Sequence, residues 1–132
     1  MINSLVDALK EVARSDHAIL SAAEHKSPYE TGARREQGQA LLVLRPASNE
    51  EMSAMVAICV QSDVEVVPQS ANTGVVWGST PDATGNQVLL SLDRMSQLFE
   101  LDVVNRSVRV GAGVRLSELN AKLEQYGLFF PI

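Results

Sequence analysis

Residues 40–67 constrain the fold more than any other stretch of the chain. Ala40-Leu41-Leu42-Val43-Leu44 is an unbroken apolar run stopped by Arg45-Pro46, which suits a strand buried on both faces better than one with a wet face. Ser48 and Glu51 then make a capping-box pair, hydroxyl and carboxylate each placed to satisfy a backbone N–H that the first helical turn leaves free. Met52, Met55, Val56, Cys59 and Val60 follow at helical spacing and predict one stripe packed onto a sheet. Residues 64–67 form a second short apolar run, so the whole stretch has the size of a right-handed βαβ unit with parallel strands. In open α/β sheets ligands collect at the carboxyl ends of the strands, which here points to the segment starting at Pro68.

That segment reads Pro68-Gln69-Ser70-Ala71-Asn72-Thr73-Gly74-Val75-Val76-Trp77-Gly78-Ser79-Thr80-Pro81. It is rich in small residues, hydroxyls and positions that tolerate positive φ (Asn72, Gly74, Gly78). Successive small residues leave backbone N–H groups uncovered, and such groups facing one concavity bind anionic oxygen without Lys or Arg. Ser70, Ala71, Asn72, Thr73, Gly74, Gly78 and Ser79 are therefore the candidate binding residues. The hydroxyls of Ser70, Thr73, Ser79 and Thr80 offer further donors, and Trp77 offers an aromatic surface. The alternative is a plain connection between two strands. The segment is not a Walker loop, since no Gly-Lys-Ser/Thr follows, nor a Rossmann fingerprint, since no Gly-x-Gly-x-x-Gly opens a helix.

Outside this region, Ile2, Leu5, Val6, Leu9 and Val12 line one face of a predicted helix over residues 2–13. Residues 15–39 read as a polar surface excursion with a short helical stretch at 21–25. Residues 87–92 form a third strand, 98–103 and 107–112 an antiparallel pair turning near Asn105, and 116–126 a helix. That helix buries Leu116, Leu119, Leu123 and Tyr126 and ends at Gly127. The expected class is α+β: a small parallel βαβ sheet flanked by helices, then the start of a second, mainly antiparallel β subdomain with a helix. Residues 1–39 are assigned to the N-terminal helix and excursion, and 40–132 to the functional domain. Because residues 128–132 are all apolar, that domain is expected to be truncated.

Composition narrows the function. A length of 132 residues allows one domain, without room for a separate substrate domain. The net charge of −5 argues against nucleic acid as the main partner, because phosphate-backbone binding needs clustered cations. The longest strongly apolar run, 54–60, is far too short to span a bilayer, and the first residues lack the apolar core of a signal peptide. Cys59 is the only cysteine, with no His at metal-ligand spacing, so no metal site is expected and a reducing, cytoplasmic setting is. It reads as a buried apolar side chain rather than a reactive thiol. His17, His25, Arg34 and Arg35 read as solvated.

Four pieces, in order, carry a resemblance. They are Val43-x-Arg45-Pro46-x-Ser48-x-Glu50-Glu51; the 68–74 cradle with Gly78-Ser79-Thr80-Pro81; Leu90-Ser91-Leu92-Asp93-Arg94-Met95; and Val110-Gly111-Ala112-Gly113-Val114 with Leu119 and Gly127-Leu128-Phe129-Phe130-Pro131. Over residues 40–132 the chain resembles the FAD-binding domain of the vanillyl-alcohol oxidase and p-cresol methylhydroxylase type. The Asn-Thr-Gly with Gly-Ser-x-Pro form is similar to the FAD-linked D-2-hydroxy acid dehydrogenase branch (D-lactate and D-2-hydroxyglutarate dehydrogenases, glycolate oxidase). The resemblance implies FAD held by residues 70–74 with Gly78 and Ser79. It also implies a parent enzyme oxidising a 2-hydroxy acid and passing electrons to an acceptor. Relatives often carry Gly-Gly where this chain has Ser70-Ala71, and some attach FAD through a cradle histidine. None is present here, so non-covalent binding is expected. The family's catalytic residues lie beyond the Phe-Phe-Pro segment, so none is named, and the 132 residues alone are expected to be inactive. The alternatives are a sugar or alditol oxidase of the same superfamily, or a non-catalytic α/β module that binds a partner.

Overall fold

The computed structural model describes residues 2–132. In chain order the elements are α1 (Ile2–Val12), β1 (Ile19–Leu20), α2 (Ala23–Glu30), β2 (Ala40–Leu44), α3 (Asn49–Gln61), β3 (Val66–Gln69), β4 (Gln87–Ser91), β5 (Phe99–Asp102), β6 (Ser107–Val110) and α4 (Leu116–Glu124), with a short 3-10 turn at Asp16–Ala18. The class is α+β, as the sequence implied. β1, β2, β4 and β3 form one sheet in that order, and β5 and β6 form a second, antiparallel one. β4 pairs in parallel with both β2 and β3, whereas β1 runs antiparallel to β2.

β2 and β3 are thus the parallel strands of the expected unit, but they are not neighbours. β4 takes the central place because Val88, Leu89 and Leu90 are all buried, and a run apolar on both faces gains most from being covered on both. The strand period of two divides the run between two cores. Leu42, Leu44, Val88 and Leu90 meet Leu5 and Leu9 of α1 and Met55 and Cys59 of α3. Val43 and Leu89 point the other way, toward Ala40, Leu20 and Tyr29.

Several local expectations need correction. The excursion contains an eight-residue helix, α2, with Pro28 inside it, rather than a short stretch at 21–25. The capping box of α3 is half made: the Ser48 hydroxyl accepts from the Glu51 N–H at 3.2 Å. The buried Glu51 carboxylate instead accepts from the N–H groups of Ala47 at 2.8 Å and Arg14 at 3.0 Å, tying the start of α3 to the chain beyond α1. Val60 is exposed: eight residues past Met52 a helix has turned about 80° off the stripe. Leu116 and Tyr126 are also exposed, at the first residue of α4 and beyond its end, while Leu119 and Leu123 are buried.

The second unit packs by close backbone approach. A Cβ at Gly113 would overlap the Leu92 carbonyl oxygen, so only glycine lets the segment after β6 lie against the end of β4. α4 ends at Glu124, two residues short of the expected Tyr126, and the chain leaves the helical path at Gly127 (φ 65°), the expected glycine. There the Gly127 N–H reaches the Glu124 carbonyl at 2.9 Å and the Leu128 N–H the Leu123 carbonyl at 3.2 Å, a Schellman arrangement. Beyond it, Phe130 is pinned by Asn120, which accepts from its N–H at 2.8 Å and donates to its carbonyl at 3.3 Å.

Candidate functional site

The three parallel strands bring Arg45, Gln69 and Ser91 to one edge of the sheet, and the loop joining β3 to β4 starts there. Its conformation is held from below by side-chain amides. Gln69 is buried, and its Nε2 donates to the carbonyls of both Tyr29 and Ser79, each at 2.8 Å. Asn72, at φ 55°, donates from Nδ2 to the Thr31 carbonyl at 2.7 Å and accepts from the Ser79 hydroxyl at 2.9 Å. The Ser70 hydroxyl reaches across to the Ala112 carbonyl at 2.7 Å, joining the loop to the second unit.

Above this scaffold the backbone is free. Among the described residues no backbone N–H from Ala71 to Ser79 donates to another protein group. Thr73, Gly74 and Gly78 are exposed, and nothing lies within 4 Å of where a Gly78 Cβ would stand. Trp77, at φ 65°, is exposed at the loop tip. Successive unpaired N–H donors with open glycines suit an anion with several oxygens, such as a diphosphate.

The seven sequence-predicted residues therefore all lie on this one loop, but not all in the expected way. The hydroxyls of Ser70 and Ser79 are engaged within the protein. Thr80 is buried, with its hydroxyl unpartnered, and so is no surface donor. Ser70 and Thr73 are the exposed ones of the four, and of these two only Thr73 has a hydroxyl that bonds to no described residue. A cleft of about 490 Å³ opens beside the loop between Tyr29, Gln69, Asn72, Ser91, Asp93 and Arg115. Arg115, just before α4, is the cation the sequence reading missed there. A hollow of about 570 Å³ near Lys10, Arg14 and Asp16 lies elsewhere and has no comparable run of free donors.

The floor of the cleft is a charged network. Asp93 accepts from the Tyr29 hydroxyl at 2.8 Å and from Arg45 Nε at 3.1 Å, and pairs with the Arg45 terminal nitrogen at 3.1 Å. Burial pushes the Asp93 carboxyl up, but the bonds from Arg45 and Tyr29 outweigh it and hold the group below the usual carboxylate range. Tyr29 is pushed up to about 12, by burial first and by its bond to the carboxylate second. The phenol is thus neutral at physiological pH, and the Arg45 charge is already matched.

Elsewhere, His17, His25, Arg34 and Arg35 are exposed, as expected. Cys59 is buried, and burial pushes its thiol up. Among the described residues no three His, Cys, Asp or Glu side chains converge to hold a metal ion. No described helix is long and apolar enough to cross a membrane.

A family model described as an FAD binding domain matches residues 40–132. Among curated proteins, the quinone-dependent D-lactate dehydrogenase of Haemophilus influenzae is 30% identical over 128 residues, 96% of this chain and 22% of its own length. The mitochondrial D-2-hydroxyglutarate dehydrogenase of Danio rerio is 32% identical over 96 residues, 73% of this chain and 18% of its own. Among solved structures, alkyldihydroxyacetonephosphate synthase has a TM-score of 0.81 at 18% identity over 95% of this chain and 25% of that one, a likeness of fold. The chain spans about a fifth of the length of the curated relatives it matches. Since the matched stretch takes in β2, the loop after β3 and the whole second unit, the chain belongs to the FAD binding domain family.

Proposed function

We propose that the chain binds FAD non-covalently. The backbone N–H groups of Ser70, Ala71, Asn72, Thr73 and Gly74, with Gly78 and Ser79, receive the pyrophosphate. In this reading residues 40–132 form the cofactor-binding portion, and residues 1–39 are the N-terminal helix and excursion that accompany it. The observation that carries the reading is the run of unpaired N–H donors from Ala71 to Ser79 at the carboxyl edge of a parallel sheet. It lets a chain of net charge −5 hold a diphosphate with oriented dipoles rather than cations. Arg115 at the cleft adds one favourable charge. Gly78 leaves room for close approach, and the Ser70 bond to Ala112 sets the loop against the second unit. The 68–81 segment carries no histidine for a covalent link.

The full-length protein is an FAD-dependent oxidoreductase that converts a D-2-hydroxy acid of the lactate or 2-hydroxyglutarate class to its keto acid. The names of the relatives support this substrate class. Bound FAD supplies the two-electron acceptor for that oxidation. No catalytic residue is assigned to this chain. The sites for hydroxy acid and electron acceptor fall to the parts of the relatives that it does not cover.

The test is a titration with FAD that follows Trp77, the sole tryptophan, and flavin fluorescence, with ADP as competitor. Saturable quenching reversed by ADP is expected. A full-length protein that purifies without flavin and shows no saturable response would sink the reading. In the flavin-loaded full-length protein, D-lactate or D-2-hydroxyglutarate should bleach the oxidised flavin spectrum. Bleaching by polyols alone would point to a sugar or alditol oxidase.

A further inference from the structure

We infer that the segment Tyr29–Thr31, which precedes the family-matched region, is the template that holds the cradle in its donor-presenting conformation, with Gln69 and Asn72 as positioning residues. This rests on the reading of the loop as the FAD pyrophosphate site.

The loop from Ser70 to Ser79 makes few bonds of its own. Its only internal backbone bond near the tip runs from the Thr80 N–H to the Trp77 carbonyl at 3.3 Å. Such a loop would sample many shapes, and ordering it on binding would weaken affinity. What holds it comes from outside. Two carbonyls on neighbouring turns of chain, Tyr29 and Thr31, accept from Gln69 Nε2 and Asn72 Nδ2. Gln69 also grips the far limb of the loop at the Ser79 carbonyl, and the Ser79 hydroxyl closes back onto Asn72 Oδ1. One buried amide and one amide at positive φ thus clamp both limbs to a single strip of backbone.

The strip is itself anchored on the sheet, as a template must be. Lys26 Nζ donates to the Ala40 carbonyl, and Glu30 accepts from the Ala40 N–H at 2.8 Å, at the start of β2. Tyr29 donates to Asp93 at the end of β4. α2 therefore bridges the first residue of β2, the end of β4 and the end of β3. This accounts for a helix with an interior proline and no buried residue: polar bonds to the sheet, rather than an apolar stripe, hold it in place.

The experiment compares the 132-residue chain with Gln69→Met, Asn72→Gly and a core control, Met55→Ala, well below the thermal midpoint of each. Gln69→Met keeps length but leaves the Tyr29 and Ser79 carbonyls without their donor. Asn72→Gly accepts the positive φ and deletes the side-chain bonds, adding backbone freedom at that one residue, and it lies nearer solvent, so it serves if the buried variant does not fold. Two readouts are taken: Trp77 fluorescence anisotropy without ligand, and FAD affinity. Gln69→Met and Asn72→Gly should each lower the anisotropy and raise the FAD Kd at least tenfold. Met55→Ala should lower the melting temperature with both readouts unchanged within twofold. Anisotropy and Kd at parental values in both loop variants would overturn the inference. So would weaker FAD binding with unchanged anisotropy, which would make Gln69 and Asn72 ligand contacts. Lower anisotropy in a chain that binds no FAD at all would uphold the template and sink the cofactor reading alone.

Discussion

Replacing Asp93 separates a load on the fold from an incidental surface ion pair. Its carboxylate accepts the Tyr29 hydroxyl at 2.8 Å and two Arg45 nitrogens at 3.1 Å, with the Asp93 and Arg45 side chains 27% and 23% exposed. Charge-assisted bonds of this kind are worth about 1.5 to 3 kcal/mol each on removal, and partial exposure to water puts the guanidinium bond at the lower end. Asp93→Asn keeps the shape and an acceptor for Tyr29 but loses the charge facing Arg45, so it should cost about 1.5 kcal/mol. Asp93→Ala also strands the Tyr29 hydroxyl and should cost about 3 kcal/mol. With a slope of about 2 kcal/mol per molar urea, the urea midpoint at neutral pH should fall by about 0.75 M and 1.5 M respectively. If both variants unfold within about 0.5 kcal/mol of the parent, the network contributes nothing and the reasoning fails.

The same network sets the pH response. Asp93 has a folded pKa below its unfolded value of about 3.9. Its contribution is therefore present above that value and lost as pH falls through the folded pKa. Asp93→Asn should remove that part of the acid limb. Tyr29 is raised to about 12. Its contribution is present below the unfolded value of about 10 and lost as pH rises through the folded one. Ultraviolet titration of Tyr29 in a Tyr126→Phe background should therefore show ionisation well above pH 10.

Three further outcomes follow from the packing. Glu51→Ala strands the N–H groups of Ala47 and Arg14 and should cost about 2 kcal/mol by denaturant melt; a loss below about 0.5 kcal/mol would show that water replaces the carboxylate. Gly113→Ala drives a Cβ into the Leu92 carbonyl and should cost about 2 to 3 kcal/mol, seen as a lower thermal midpoint, whereas an unchanged midpoint would mean the second unit does not rest on β4. Cys59, buried and with its thiol pushed up, should react with a thiol reagent only at the rate of opening, and labelling at the rate of a free thiol would contradict its burial.

Some of this was legible in the sequence for a physical reason. Ala40–Leu44 is apolar at every position because both faces of β2 are covered, and such a run reads as a central strand without knowledge of its partners. The candidate loop was legible because parallel strands put their carboxyl ends at one edge, and its small residues mark exposed backbone there. Gly127 was legible because only an αL residue ends a helix in that way.

Other features were decided by tertiary structure. β1 is two residues long and has no periodicity to read. α2 lacks an apolar stripe and is held by polar bonds to residues far along the chain. Glu51 turned from its expected partner because Arg14, 37 residues away, offered a second donor. The cradle shows the division most clearly. Sequence alone determined which backbone could present its N–H groups, through side chains too small to cover them. The direction in which they point depends on Gln69 and on a Tyr29 carbonyl 40 residues away, because a loop short of bonds of its own takes its shape from whatever it is packed against.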